Sequence, residues 1–231
     1  MLALKQALSL PSIKTVGGWT PPSLSSLVAW YQNKVEVDLT GTDVSGWNDS
    51  SNNSYNMAQG TLSEQPAYDA ATGFLTFISQ TPPTVSTNLQ TASQISLATD
   101  FTIAIRINTT TTNGAFLADN TSSNEFFKYS SSTRISIKIA GSSSTSLDLD
   151  SGTFGDDSLI ITRASDVLTL WHNGVAQTGT TPTLAGTSLI DVIGLRETDK
   201  NGFDGKISEI LIYNVSNPAL TGILNLRLAS L

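Results

Sequence analysis

From Leu27 onward the chain alternates apolar and polar positions with a period of two. Phe101, Ile103, Ile105 and Ile107 face one way, with Thr102, Ala104 and Arg106 opposite. Ile135, Ile137 and Ile139 repeat the pattern against Ser136 and Lys138, and Leu147 and Leu149 alternate with Asp148 and Asp150. A strand points successive side chains to opposite faces, so these runs predict strands with one face in a core. Further strands are expected at 73–79, 115–118, 126–130, 158–163, 167–172, 189–195 and 205–213. Clusters of Ser, Thr, Asn and Gly separate them at 50–54, 109–114, 119–124, 141–146 and 178–188. Many short strands punctuated in this way predict an all-β fold of two packed antiparallel sheets.

Two stretches break the alternation. At the C-terminus Asn217 suits a helix cap and Pro218 a first helical position, followed by Leu220, Ile223, Leu224, Leu228 and Leu231 on a broad apolar face. At the N-terminus, residues 1–23 carry Lys5 and Lys14 and no acidic residue, and Pro11 stops any helix started by Leu4 and Leu8. Gly17-Gly18 and Pro21-Pro22 punctuate the way into the domain. Leu2, Leu4, Leu8, Leu10, Ile13 and Trp19 are a large apolar load for a free tail, so this segment is expected to be an arm that docks on a partner. The division is therefore an arm at 1–23 and one domain at 24–231.

Composition narrows the partners. Charged residues make up 13% of the 231, against about 25% in an average globular protein. A net charge of −7 with scattered cations argues against nucleic acid, which needs a basic patch. No apolar run reaches the ~20 residues that span a bilayer, and no small-residue cleavage site follows the first residues, so neither membrane nor signal peptide is expected. The absence of cysteine excludes disulfides, thiolate metal sites and a cysteine nucleophile.

A set of spaced motifs goes further. Leu27-Val28-Ala29-Trp30-Tyr31, Trp47-Asn48-Asp49-Ser50, Gln65-Pro66-Ala67-Tyr68 and Phe203-Asp204-Gly205-Lys206-Ile207-Ser208-Glu209-Ile210-Leu211-Ile212-Tyr213 occur in order. Between them lie Leu168-Thr169-Leu170-Trp171-His172-Asn173-Gly174-Val175, where Asn-Gly allows a tight type I′ turn, and Ile193-Gly194-Leu195. Over 27–214 this order resembles a concanavalin A-like (laminin G-like) jelly roll. The resemblance implies a two-sheet antiparallel jelly-roll sandwich with an extended N-terminal arm and a short C-terminal helix, in which Trp30, Trp47 and Tyr213 pack the core or its edges.

Low charge, abundant Ser, Thr and Asn, and an apolar lead also resemble accessory proteins of tailed-phage particles. That implies a non-enzymatic virion structural protein on the particle surface, a capsid decoration or head fibre. Its arm would attach to a capsid or other virion protein, and the chain would self-associate into a homo-oligomer. The alternative is a carbohydrate-binding adhesion module, on a tail fibre or a cell surface, with a glycan as partner.

The candidate chemistry is sparse. Glycosidases resembling this sandwich place carboxylates in a Glu-x-Asp-x-x-Glu strand. The nearest approach among the five glutamates is Glu197-Thr198-Asp199, with Gly202 in the third position, so no catalytic residue is assigned. His172, the one histidine, is expected as an exposed imidazole at a hairpin end. Calcium is the one cofactor considered, with Asp119 and Asp204 as weak candidates, because it takes oxygen ligands. Trp19, Tyr55, Tyr129 and Trp171 are the aromatics that the pattern does not bury, and a sugar would need such a platform.

Overall fold

The computed structural model describes residues 18–80, 86–109, 113–120, 125–139, 143–196 and 202–231. Within them the chain forms two antiparallel sheets face to face, a jelly-roll sandwich. The first sheet is centred on β17 (Gly205–Tyr213), β8 (Phe101–Thr109) and β13 (Asp156–Ala164), and continues through β14 (Val167–His172) to β15 (Val175–Ala176). The other side of β17 pairs with β1 (Leu27–Tyr31) along one half and β6 (Phe74–Phe77) along the other.

The second sheet runs β2 (Val37–Thr40), β3 (Asp43–Trp47), β4 (Met57–Ala58), β7 (Leu89–Leu97), β16 (Ser188–Ile193), β9 (Gly114–Ala118), β10 (Phe126–Ser131), β11 (Arg134–Lys138) and β12 (Thr145–Asp148). β5 (Ala67–Asp69) links the two sheets, pairing with β6 and touching β3. The predicted turn at Asn173-Gly174 forms, with both residues at positive φ (50° and 83°).

The main core lies between the sheets, where Ile103, Ile105, Ile107, Leu159, Ile161, Ile210 and Ile212 meet Leu117, Phe127, Ile135, Ile137 and Ile190. Trp47 packs there too. A second apolar layer was not legible as such. α1 (Pro218–Ala229) lies across the outer face of the first sheet, burying Leu220, Leu224 and Leu228 against Leu27, Trp30, Ala104, Ile160, Leu211 and Tyr213. β8 is therefore buried on both faces rather than half-buried, and Thr102 and Ala104 have no exposed surface. The helix begins as the sequence predicts, Asn217 Oδ1 accepting from Leu220 N at 2.8 Å with Pro218 at the first turn. Ile223 is a correction: expected on the packed face, it is 42% exposed.

One ionic contact fixes the helix. The register of β17 slips between Ile207 and Glu209, a bulge that returns Ile210 and Ile212 to the core and turns Glu209 outward under α1. Glu209 has no exposed surface. Arg227 on α1 meets it with two hydrogen bonds, 2.9 and 2.7 Å. Trp30 Nε1 and the Asn33 N–H, both 3.2 Å away, donate to the same carboxylate. A buried charge stripped of its partner typically costs about 3–5 kcal/mol. Arg227→Met should therefore lower the urea midpoint sharply, and adding Glu209→Met should recover part of the loss. Equal midpoints for the single and double variants would show that the pair is not coupled.

Candidate functional site

The outer face of β14 carries Thr169 and Trp171, because a strand alternates and Leu168 and Leu170 are taken by the core, and Asn173 follows in the turn. Their neighbours across β13 are Thr162, Ile160 and Ser158. α1 lies over β13 and β8, so its flank forms a wall and β14 a floor. The groove between them holds two cavities. One, of about 210 Å³, is lined by Thr162, Thr169, Trp171, Asn217, Pro218 and Thr221 among others. The larger, about 420 Å³, lies toward the helix C-terminus, with Arg106, Asp156, Ser158, Asn173, Asn225 and Leu226 in its walls. Trp171 stands between them, since its cross-strand partner Ile160 lies between Ser158 and Thr162 on β13.

Trp171 is half-buried, its indole packed against the layer beneath α1. It thus has a fixed orientation and an accessible remainder. Hydroxyl groups of Thr162, Thr169 and Thr221 surround it at one end. At the other, Arg106 Nη2 donates to Asp156 at 2.9 Å, which neutralises the charge of both, beside the amide of Asn225; the Asn173 amide there is spent on the Ser158 N–H and Asp157. An aromatic floor with neutral polar groups at both ends suits a polar, uncharged, ring-shaped ligand. The sequence singled out Trp171 among its four unburied aromatics. It offered no signal for Arg106, Thr162 or Asn225, which only the docking of α1 brings to the same groove.

The other candidates settle differently. Tyr129 is a correction: it is fully buried, stacked among Phe116, Phe154 and Phe203. Tyr55 is half-buried at a separate, polar cavity of about 350 Å³, where its carbonyl accepts from Tyr31 Oη at 2.6 Å. The Asn53 amide beside it is spent on the carbonyls of Leu27 and Val28. Trp19 stacks edge-on against Trp30, and the Arg227 guanidinium lies over its ring. Leu2, Leu4, Leu8, Leu10 and Ile13 lie outside the described residues, as do Glu197 and Asp199.

His172 is also a correction. Its side chain is only 15% exposed, turned to the interior edge against Phe154, with Nε2 2.7 Å from Asp157 Oδ1. Burial alone would raise the Asp157 carboxyl. Hydrogen bonds from His172, the Gly155 N–H and Asn173 outweigh it and hold the group below the usual range.

Asp119 and Asp204, the weak calcium candidates, have separate settings. Asp204, at the start of β17, accepts from the Ser79 N–H. Asp119 is fully buried at the end of β9, accepting from Gln94 Nε2 at 2.8 Å, with Asp191 of β16 as its neighbour. Among the described residues no three acidic or histidine side chains converge. Burial raises the Asp191 carboxyl, and the adjacent Asp119 raises it further, against hydrogen bonds from the Asn120 N–H and Gln94.

No family profile matches the chain, and no curated protein does. Solved structures share its fold. The binding domain of Paraclostridial Mosquitocidal Protein 1 is 13% identical at a TM-score of 0.59, over 87% of this chain and 52% of that one. A Trypanosoma rangeli sialidase, solved as a covalent intermediate with 2,3-difluorosialic acid, is 12% identical at 0.57, over 89% and 33%. The heptameric SAP-like pentraxin of Limulus polyphemus is 13% identical at 0.53, over 66% and 79%. The chain spans about half the length of the toxin domain and a third of the sialidase. At these identities the likeness shows the fold alone.

The raised Asp191 carboxyl gives a pH signature. The folded state holds that proton more tightly than the unfolded chain, so the group favours folding as pH falls through its folded value and opposes it as pH rises. Asp191→Asn should raise Tm at pH 7. The gain should shrink to nothing as pH falls to the ordinary carboxylate value of 3.8. A thermal scan across pH 3–8 showing a pH-independent difference would refute this.

Proposed function

We propose that this chain is a non-enzymatic carbohydrate-binding adhesion module and that the groove between β14 and α1 is its glycan site. The observation that carries this is Trp171, a fixed indole on the groove floor with hydroxyl and amide groups at both ends. The apolar C–H face of a sugar ring can stack on an indole while its hydroxyls, each a donor and an acceptor, reach neutral polar groups on either side. Among its structural neighbours, one is a toxin's binding domain and another is a heptameric pentraxin, which supports a binding role.

Individual sites of this kind are shallow, so adhesion would gain from a homo-oligomer presenting several at once. A place on a virion surface, in a tail fibre, is compatible with this reading. Capsid decoration through residues 1–23 draws only on composition and the apolar leader. Nucleic acid and membrane are not assigned as partners, and no described helix is long and apolar enough to cross a bilayer.

The test is a glycan array with the intact chain and two groove variants. A saccharide that binds the parent should lose at least tenfold in affinity to Trp171→Ala. Thr169→Arg, which crowds the groove without touching the core, should do the same with Tm unchanged. No binder across neutral and acidic glycans, or binding indifferent to both variants, would overturn the assignment.

A further inference from the structure

The outer face of the second sheet gathers cations that stand far apart in the sequence. Phe127 and Tyr129 of β10 and Ile135 and Ile137 of β11 point into the core. Alternation therefore turns Phe126, Lys128, Ser130, Ser136 and Lys138 outward. Lys138 lies directly opposite Phe126, and Ser136 opposite Lys128. Phe126 is itself buried, in a small apolar cluster with Ala115, Ala118, Val192 and Leu195. Two cations lie over its ring: the Arg196 guanidinium carbon is 4.4 Å from the ring centre and Lys128 Nζ 5.3 Å. With Lys138 across the strand pair, three positive groups border one aromatic ring.

Elsewhere the cations are met by acids: Arg106, Arg134 and Arg227 each pair with a carboxylate. Among the described residues neither Lys128 nor Lys138 has an ion pair. Glu125 and Asp119, the acids that flank Phe126 and its partner Ala118 in sequence, have no exposed surface and accept from the Leu189 N–H and from Gln94. Burial, and then the neighbouring Arg196, pushes the Lys128 ammonium down, as like charges held together must.

Hydroxyls continue the same face. Ser136 Oγ donates to Ser130 Oγ at 2.9 Å, and Ser146 of β12 lies opposite Ser136. Neutral hydroxyls beside a cluster of cations match a ligand that carries hydroxyls and a few negative charges together, as an acidic saccharide does. Duplex nucleic acid, with one charge per ~1.7 Å, is repelled by a chain of net charge −7. An anionic bilayer is met by clusters of about 4–8 basic residues.

We propose that the outer face of β10 and β11 binds the carboxylate or sulfate group of an acidic saccharide through Lys128 and Lys138, with Arg196 on its flank and the serine hydroxyls meeting those of the sugar. This face lies on the opposite side of the sandwich from the groove at β14, and the inference stands whether or not that groove binds a glycan.

The test is calorimetric titration of the intact chain with two tetrasaccharides, an oligogalacturonate and a sulfated galactan, and with a single-stranded tetranucleotide. At least one tetrasaccharide should bind, more weakly as salt rises from about 50 to about 300 mM. The tighter of the two names the anionic group. Lys128→Met keeps the aliphatic stem over Phe126 and removes only the charge. Combined with Lys138→Gln, it should lower the affinity at least tenfold with Tm unchanged, while Trp171→Ala leaves the affinity intact. No binding of either saccharide, binding indifferent to the lysine variants, or loss to Trp171→Ala alone would overturn the site. A tetranucleotide that binds as tightly as the better saccharide would overturn the saccharide class.

Discussion

A carboxylate with no access to water has to be met by donors, and in this fold that requirement falls on Glu209. Its position follows from a single inserted residue in β17, which keeps the following isoleucines in the core and swings the acid to the opposite face. There it gathers Arg227 from the C-terminal helix, the Trp30 indole from the first strand, and the Asn33 backbone beyond it. Three segments distant in sequence are tied through one group. Desolvating such a pair is costly in itself. What the pair supplies is therefore placement: of the positions α1 could take on an apolar sheet face, only one satisfies the carboxylate.

The groove depends on that placement. β14 would present Trp171 and its polar neighbours in any sandwich of this topology, but as an open face. With α1 held over β13 and β8, the same residues become a floor with a wall. The cation–anion pair of Arg106 and Asp156 lies at one end and threonine hydroxyls at the other. A rigid floor matters for a weak ligand, because ordering side chains on binding takes free energy from the complex. Trp171 is already ordered by its packing.

Buried polar groups elsewhere follow the same rule of local compensation. Arg163, fully buried in β13, gives its guanidinium protons to the carbonyls of Leu97, Thr99, Leu184 and Gly186 and lies over Phe101. It ties two loops to the central strand through their carbonyls. Asp157 satisfies His172, Gly155 and Asn173 together. At the end of β9 two acids, Asp119 and Asp191, lie side by side, and burial with the neighbouring acid raises the Asp191 carboxyl against hydrogen bonds from the Asn120 N–H and Gln94.

The sequence by itself determined the strands that alternate cleanly, β8, β11 and β12, the Asn173-Gly174 turn, and the capped helix at Asn217-Pro218, because each is written in local periodicity or in the φ preference of single residues. It did not reveal β7, whose Gln90-Thr91-Ala92-Ser93-Gln94 centre carries almost no apolar signal. The short β2 to β5 likewise went unseen, their pairing made by partners far along the chain. Tyr129 and His172 read as surface residues, yet Tyr129 is buried and His172 largely covered, since burial depends on what packs opposite and not on neighbours in sequence. Only the tertiary structure decided that one apolar face of the first sheet lies under a helix, that Glu209 needs Arg227, and that Trp171 ends beside a wall. Each of these joins residues tens to hundreds of positions apart, and no local pattern encodes such a meeting.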